Sequence, residues 1–454
     1  MGAGLIIIRS LSGADYYDAV SDGGCDNTGE SDCVSDILAA VTAYKAAGKD
    51  GLYFPAGTYL LSSALTVPDG TTLVGSGMTT AWLQGQLVFG SNSTFTDLKI
   101  GDSGKDGIHN GARASNTDFT RCQFRGGATA WRAPVSFGGG TLSCDHITFT
   151  DCSIERNLGD HESDGASGYN NVIWVERVGD LNGAHMEYIT FTRCHFGVSN
   201  GRTDIARNIG APRANVELFQ AKYDGAVRTG WHHVYFYDCI FEAADGFTLD
   251  IPGYIYDGAH TDGYCVIDGC TIYGGGVTED WFSNGIVIEG VNHVTINDCD
   301  IYPAHDYTLT IQTFGGVDTN NWAVTNNRFH LDDFTNSGIE ARSTEPAIVL
   351  QGTGEFTGNT IHNSTGGYYL LWLGWYYTEG SWADGCTITG NEFHELRETS
   401  GQMMRVYDAV DCTITGNTFQ TEATSFPSGS PMRYSGTNTG TTVVDGANNT
   451  IVHA

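Results

Sequence analysis

CTITGNEF (Cys386–Phe393) and CTITGNTF (Cys412–Phe419) are nearly the same octet written twice, 26 residues apart. Related segments run backwards through most of the chain: FTGNTI (356–361), VTNNRF (324–329), TINDCDI (295–301), VIDGCTI (266–272), FYDCIF (236–241), FTRCHF (191–196), FTDCSI (149–154) and FTRCQF (119–124). One position aligns across them all. It is Cys122, Cys152, Cys194, Cys239, Cys270 and Cys299, then Asn327, Asn359, Asn391 and Asn417, at spacings of 26 to 45 residues. Repeats of that length, irregular through insertions and rich in Thr, Val, Ile and Phe, describe strands stacked as a solenoid.

Within one unit the pattern is strand, two-residue corner, strand. In TINDCDI the apolar Ile296 and Ile301 flank a polar corner. Asn and Gly suit that corner because they tolerate left-handed backbone angles. Asparagines stacked at one position hydrogen-bond from rung to rung, and a stacked thiol fills the same slot as a small hydrophobe. A third strand precedes each corner segment: NVIWVERV (171–178), NVELFQAK (215–222), GFTLDIPG (246–253), GIVIEG (285–290), TLTIQTF (308–314), AIVLQGT (347–353), YYLLWLG (368–374) and MMRVYDA (403–409). Three strands per unit give three parallel sheets. The expected fold is thus all-β, a parallel β-helix of roughly a dozen rungs and about 60 Å.

VSDILAAVTAYKAAGK (34–49) reads as a helix with Ile37, Leu38, Val41 and Tyr44 on one face, placed to cap the open end of the solenoid. The expected division is an N-terminal segment with acidic loop and capping helix (1–50), the β-helix (51–425) and a C-terminal end (426–454). The helix is followed by YFPAGTY (53–59) and TVPDGTTLVGSG (66–77). That succession resembles the first rungs of the pectate-lyase-like, right-handed β-helix superfamily, and the ladder extends the resemblance to about residue 420. The resemblance implies a trimer-forming rod if the chain is like a phage tailspike, and a monomeric enzyme if it is like a pectate lyase or polygalacturonase.

The net charge is −31, from 22 basic and 53 acidic residues, with a sequence pI near 4.5. So acidic a surface excludes nucleic acid as a partner and disfavours anionic membranes. Only five of the basic residues are lysine, and Gly reaches 61, a composition that resembles proteins of salt-loving organisms. No apolar run approaches the roughly 18 residues of a membrane span. LIIIRS (5–10) is too short for a signal-peptide core. If Met1 is the first residue made, the chain lacks an export signal, which fits a particle assembled in the cytoplasm and released by lysis.

Of the twelve cysteines, six occupy the ladder slot, and Cys265, Cys386 and Cys412 share another slot five residues earlier; these read as core thiols. Cys25 and Cys33 bracket the acidic loop CDNTGESDC and are the candidates for a local disulfide.

The resemblance places chemistry on the outer face of one sheet, and the third strands are where apolar-in, polar-out alternation is legible. With Leu218, Leu249, Ile288, Ile311 and Leu350 inward, the outward row holds Glu217, Phe219, Asp250, Glu289, Gln312 and Gln351, preceded by Trp174 and Glu176. Glycoside hydrolysis uses two carboxyls, about 5 Å apart for retention and about 6.5 to 9.5 Å for inversion. Asp250, Glu289 and Glu217 are the catalytic candidates. Asp250 with Glu289, read as successive rungs, suits the shorter separation and Glu217 with Glu289 the longer. Trp174, Glu176, Phe219, Gln312, Gln351 and Trp372 are the ligand-binding candidates, aromatics being suited to stack on sugars. Loops carrying Asp160, His161, Asp164, His260 and Asp262 would suit a calcium or magnesium ion, although no cofactor is required.

Polygalacturonases carry an Asn-Thr-Asp strand, an Asp-Asp pair, a Gly-His-Gly and an Arg-Ile-Lys. This chain has NTD at Asn116–Asp118 inside a corner segment and DD at Asp332–Asp333 in a loop, and neither of the other two. Standard pectin chemistry is therefore not expected. Three roles remain open: a virion spike or tail fibre of a haloarchaeal virus that recognises host glycans or glycoproteins and cuts them if active; a secreted polysaccharide lyase or hydrolase; and a structural decoration protein. The first carries with it an extracellular, high-salt location, other virion proteins as partners and a homotrimer.

Overall fold

The computed structural model describes residues 15–101, 108–110, 114–125, 135–137, 144–156, 171–175, 186–198, 214–218, 231–243, 247–252, 264–274, 284–313, 319–332, 347–363, 370–374, 383–395, 403–421, 432–435, 442–443 and 449–453. Among them the chain coils through three long parallel sheets, two of fifteen strands and one of thirteen, in which each strand pairs with its equivalents one turn before and after. One turn is represented by Val294–Asn297 in the first sheet, Asp300–Ile301 in the second and Leu309–Gln312 in the third. At about 4.8 Å per rung, fifteen rungs make a rod of about 67 Å.

The corner between the first and second sheets sets this shape. It is two residues long: one in the left-handed region, then one buried. The left-handed position holds Asp97, Arg121, Asp151, Arg193, Asp238, Gly269, Asp298, Asn326, Gly358, Gly390 and Gly416, with φ between 49° and 68°. Asp, Asn and Gly carry that backbone at the lowest steric cost. The buried position is the sequence ladder itself. From Asn359 onward each Asn Oδ1 accepts two bonds from the rung before: from Asn327, the backbone N–H and Nδ2 reach Asn359 Oδ1 at 2.9 and 3.0 Å. Each Nδ2 also donates to a first-sheet carbonyl, Asn327 to Ile296 O at 2.9 Å and Asn391 to Phe356 O at 2.8 Å. The pattern runs on to Asn449.

The thiols do more than fill space. Cys122, Cys152, Cys194, Cys239, Cys270 and Cys299 donate to the carbonyls that correspond to those the asparagines use, at 3.4 to 3.6 Å. Cys239 N–H in turn donates to Cys270 Sγ at 3.3 Å, and Cys299 N–H to Asn327 Oδ1 at 2.9 Å, so the two halves of the ladder are joined. A buried backbone N–H left without such a partner costs about 1–3 kcal/mol.

Inside the coil, side chains of one register column stack on their own kind. Phe95, Phe119, Phe149, Phe191 and Phe236 lie within 13° of parallel at 4.8 to 5.1 Å, each pair contributing about 0.5–1.5 kcal/mol beyond burial. The helix spans Val34–Ala46 and packs Ile37, Ala40, Val41 and Tyr44 over the end of the core. The Tyr44 hydroxyl accepts the Thr72 backbone N–H at 2.9 Å. Strand pairing begins before the helix, with Tyr16–Asp18 against Gly51–Tyr53, and continues to Thr450–His453. No helix among the described residues is long and apolar enough to cross a membrane.

The expected Cys25–Cys33 disulfide is not formed, and all twelve cysteines are buried free thiols. Cys33 Sγ instead donates to the Asp26 carbonyl at 3.1 Å. The loop is closed by the Asp26 carboxylate, which the Thr28 hydroxyl and the backbone N–H groups of Thr28, Ser31 and Glu30 hold down at about 2. Burial pushes the Cys25 thiol up to about 12, so it stays protonated and unreactive.

Asn391→Ala strips the acceptor from Asn359 and the donor to Phe356, and it should cost about 3 kcal/mol. Cys299→Asn extends the amide ladder by one rung into a slot with the corresponding acceptor, Ile267 O, and should stay within about 1 kcal/mol of wild type. Urea unfolding of both variants checks the contrast.

Candidate functional site

The third sheet carries the predicted row, and its register sorts that row into two columns. Strand pairing aligns Trp174 with Glu217, Glu217 with Asp250, Asp250 with Val287, Val287 with Thr310, Thr310 with Val349, Val349 with Trp372, Trp372 with Arg405 and Arg405 with Arg433. Two residues further along lies the column of Pro252, Glu289 and Gln312. Asp250 therefore faces Val287 and not Glu289, so the close Asp250–Glu289 pairing expected from the sequence is replaced by Glu217 and Asp250 on adjacent rungs. The cause is the strand length: Phe247–Pro252 runs two residues past Asp250 before the alternation reaches the position opposite Glu289. Leu249, Ile288, Ile311 and Leu350 point into the core as expected.

Glu289 is the outward residue whose chemistry stands out. Burial pushes its carboxyl above the ordinary range, and the Gln312 side-chain amide, which donates to Oε1, only partly opposes that. Behind it, Thr319 Oγ1 accepts the Gly290 N–H at 2.7 Å and donates to Gln312 O at 2.8 Å, fixing the strand end. A carboxyl held towards its neutral form beside an outer face is what a general acid needs.

The middle of the face is covered. Val287, Thr310, Val349 and Trp372 are all buried, and Tyr307 packs on Val349 and Trp372. Trp372, predicted as a sugar platform, is 6% exposed and has the Arg405 guanidinium over its ring at 4.7 Å. Gln351, predicted as a ligand contact, is 2% exposed, and its Oε1 accepts the Thr313 N–H at 2.9 Å. Neither presents a surface to a ligand, because the face carries a second apolar layer where strict alternation suggests solvent. Trp174 and Glu217 keep their places in the strand register, while Glu176 and Phe219 lie outside the described residues, as do Asp160, His161, Asp164, His260 and Asp262. Among the described residues no group of His, Cys, Asp or Glu is arranged to hold a metal ion.

Sequence reasoning missed the second sheet's outer face. Glu242 Oε1 meets His195 Nε2 at 2.8 Å, and Glu242 lies across Gly197, where a Cβ would sit 2.3 Å from Oε2. One rung below His195, Glu155 accepts from the Ser153 hydroxyl at 2.6 Å and from Gln123 Nε2 at 3.0 Å. Burial works against the His195 charge, but the Glu242 bond and the Glu242 and Glu155 charges outweigh it and raise the imidazole's pKa. Further along, His330 shares Asp300 with Arg328 at 2.8 Å each. Only the period-2 spacing of His195 and Gly197 in HFGV hinted at this notch.

Residues 18–210 match the profile of the family described as rhamnogalacturonase A/epimerase, pectate lyase-like, and residues 214–378 match that of the right handed beta helix region. The coil is a right-handed parallel β-helix, and the two matches support its place in the pectate-lyase-like superfamily. Among solved structures, the Dettilon tailspike protein is 13% identical, with 96% of this chain and 70% of that one covered at a TM-score of 0.56. The A-module of a mannuronan C-5 epimerase from Azotobacter vinelandii is 13% identical over 96% and 99% of the two chains, at a TM-score of 0.42. PfbA, a surface adhesin of Streptococcus pneumoniae, is 11% identical over 96% and 92%, at 0.48. At such identities the likeness is one of fold. No curated protein matches the chain.

Two pH signatures follow. Glu289→Gln removes a carboxylate that is costly to ionise in the folded state. Its melting temperature should match wild type at pH below about 4 and exceed it increasingly as pH rises through the carboxyl range. Glu242→Gln removes the partner that raises the His195 pKa. The stability it loses should be fully apparent below about pH 6.5 and vanish as pH climbs through the native His195 value. Thermal melts from pH 3 to 9 read both.

Proposed function

We propose that this chain is a virion surface spike or tail fibre that recognises host cell-surface glycans. The observation that carries the reading is the outer face of the third sheet: one register column runs the length of a stiff rod and sets Glu217 and Asp250 on adjacent rungs, with Glu289 close by. Carboxylates held on a rigid strand accept hydrogen bonds from sugar hydroxyls without paying for loop ordering. The fold likeness to the Dettilon tailspike, at a TM-score of 0.56, agrees with a rod of this kind. The net charge of −31 supports a high-salt setting, in which counterions screen the surface. The proposed assembly is a homotrimer of rods side by side, the arrangement that would bury exposed aromatic side chains once salt screens the repulsion.

The upward shift of the Glu289 carboxyl favours a second reading, in which the same face also cleaves the glycan by hydrolysis. Glu289 would then act as the acid and Asp250 or Glu217 as the second carboxyl.

Reducing-end release from purified envelope polysaccharide at high salt, with Asp250→Asn and Glu289→Gln beside wild type, tests both. Release lost by at least tenfold in both variants is the expected result for a depolymerase. Cell binding with no release by wild type leaves a receptor-binding spike, and absence of both binding and release overturns the proposal. Sedimentation in molar salt that shows only monomer removes the trimer.

A further inference from the structure

A second left-handed position recurs five residues before the corner, at the start of the first-sheet strands. Before the middle of this column stand Asn92 and Asn116, with φ of 55° and 53°, and after it Asn321 at 56°. Asparagine is the residue such a backbone favours among those with a side chain. Between them the column changes character. His146, Tyr188, His233 and His293 adopt the same left-handed backbone, at 51° to 61°, and Tyr264 occupies the rung between His233 and His293. For a residue as bulky as tyrosine that conformation is an outlier.

The five rings form one continuous stack. Centroids are 4.8 Å apart from His146 to Tyr188, 4.5 Å to His233, 4.7 Å to Tyr264 and 4.5 Å to His293, with planes within 22° throughout and within 8° over the last three steps. Carbon atoms touch at about 3.5–4.0 Å, so near-parallel rings at these separations are slid past one another by about 3 Å. Each therefore leaves a strip of its face uncovered. Tyr188 and Tyr264 are 38% and 40% exposed, among the few large apolar side chains that are. The backbone alone would be served by asparagine, as it is on the rungs flanking the rings; five consecutive rungs carry rings instead, four of them at the cost of a left-handed backbone.

We propose that this ladder is a binding track for a neutral, linear, hydroxyl-rich polysaccharide lying parallel to the rod, separate from the third-sheet face. A pyranose unit is about as long as one rung is high, so successive sugars meet successive rings in register. Apolar sugar faces lie on the uncovered ring strips, and the outer edges offer phenol hydroxyls and imidazole nitrogens to the sugar hydroxyls. The rest of the surface selects against charge. Asp145 and Glu187 pair in the adjacent column, and the whole chain carries −31, so a polyanion is repelled while hydroxyl donors find acceptors. The inference rests on the glycan-recognition reading and adds to it a second site and a ligand class.

The test pairs Tyr188→Asn with Tyr264→Asn, a replacement the column already uses on the rungs flanking the rings. Cello-, xylo- and mannohexaose are titrated calorimetrically at high salt, with an oligogalacturonate hexamer as the charged control. Wild type is expected to bind at least one neutral hexasaccharide and not the charged one. The double variant should bind at least tenfold more weakly, with a melting temperature equal to or above that of wild type because the strain at Tyr188 is relieved. Binding of none of the neutral probes by wild type, preference for the charged probe, or unchanged binding by the double variant overturns the proposal. Binding that survives the ladder substitutions but is lost in Asp250→Asn leaves the third-sheet site standing and removes this one. Should the double variant fail to fold, each single replacement is read the same way.

Discussion

Everything in this molecule depends on one hydrogen bond repeated along the rod: the side chain at the first corner accepts the backbone N–H of the previous rung and donates to a first-sheet carbonyl. Among the described residues the corner bends the coil sharply with no loop to absorb the error, and the groups that the bend orphans are buried. An amide satisfies them fully. A thiol satisfies them more weakly at 3.3 to 3.6 Å, yet keeps the same direction of donation. Because the corner is rigid, the strands leaving it are in register. Because they are in register, the inner columns stack phenylalanine on phenylalanine and the outer columns stack whatever function requires.

The corner was also what the sequence could reveal. Asn327, Asn359, Asn391 and Asn417 recur at a legible spacing, since a residue with one acceptable geometry leaves little freedom to drift. The third strands were found for the same reason, their inward Leu249, Ile288, Ile311 and Leu350 obeying period two. Which residues of neighbouring rungs face each other was not legible. That depends on how far each strand runs before its loop, and two residues of overhang at Pro252 separate Asp250 from Glu289. Nor did alternation reveal that the outward side is covered at Val287, Val349 and Trp372, because period two reports a side of the sheet and not what lies beyond it. The disulfide expected at Cys25 and Cys33 failed on chemistry: one aspartate-centred turn already closes that loop.

The outer faces divide the labour. The third sheet offers carboxylates, one of them strained towards its neutral form by burial. The second sheet gathers paired charges, with His195 and Glu242 across the Gly197 notch and Arg328 and His330 on Asp300. The first sheet begins with exposed rings. A solenoid permits this because each face is an independent one-dimensional array: a change in one outer column leaves the core stack and the other two faces untouched. Fold and function are thus written at different positions of the same repeat, which is why a likeness of fold at 13% identity says little about the ligand.

The change of ladder residue between Cys299 and Asn327 divides the rod into two chemical territories. Up to that point the spine is made of sulfur; beyond it, of amides. An oxidant that gained entry would add oxygen to a thiol inside a slot sized for a bare sulfur, wedging apart the rungs on either side; beyond Asn327 the spine itself offers no such sulfur, and the core thiols there, Cys386 and Cys412, stand outside it. Damage to the spine would therefore be polar in the geometric sense, falling on the rungs between Cys122 and Cys299.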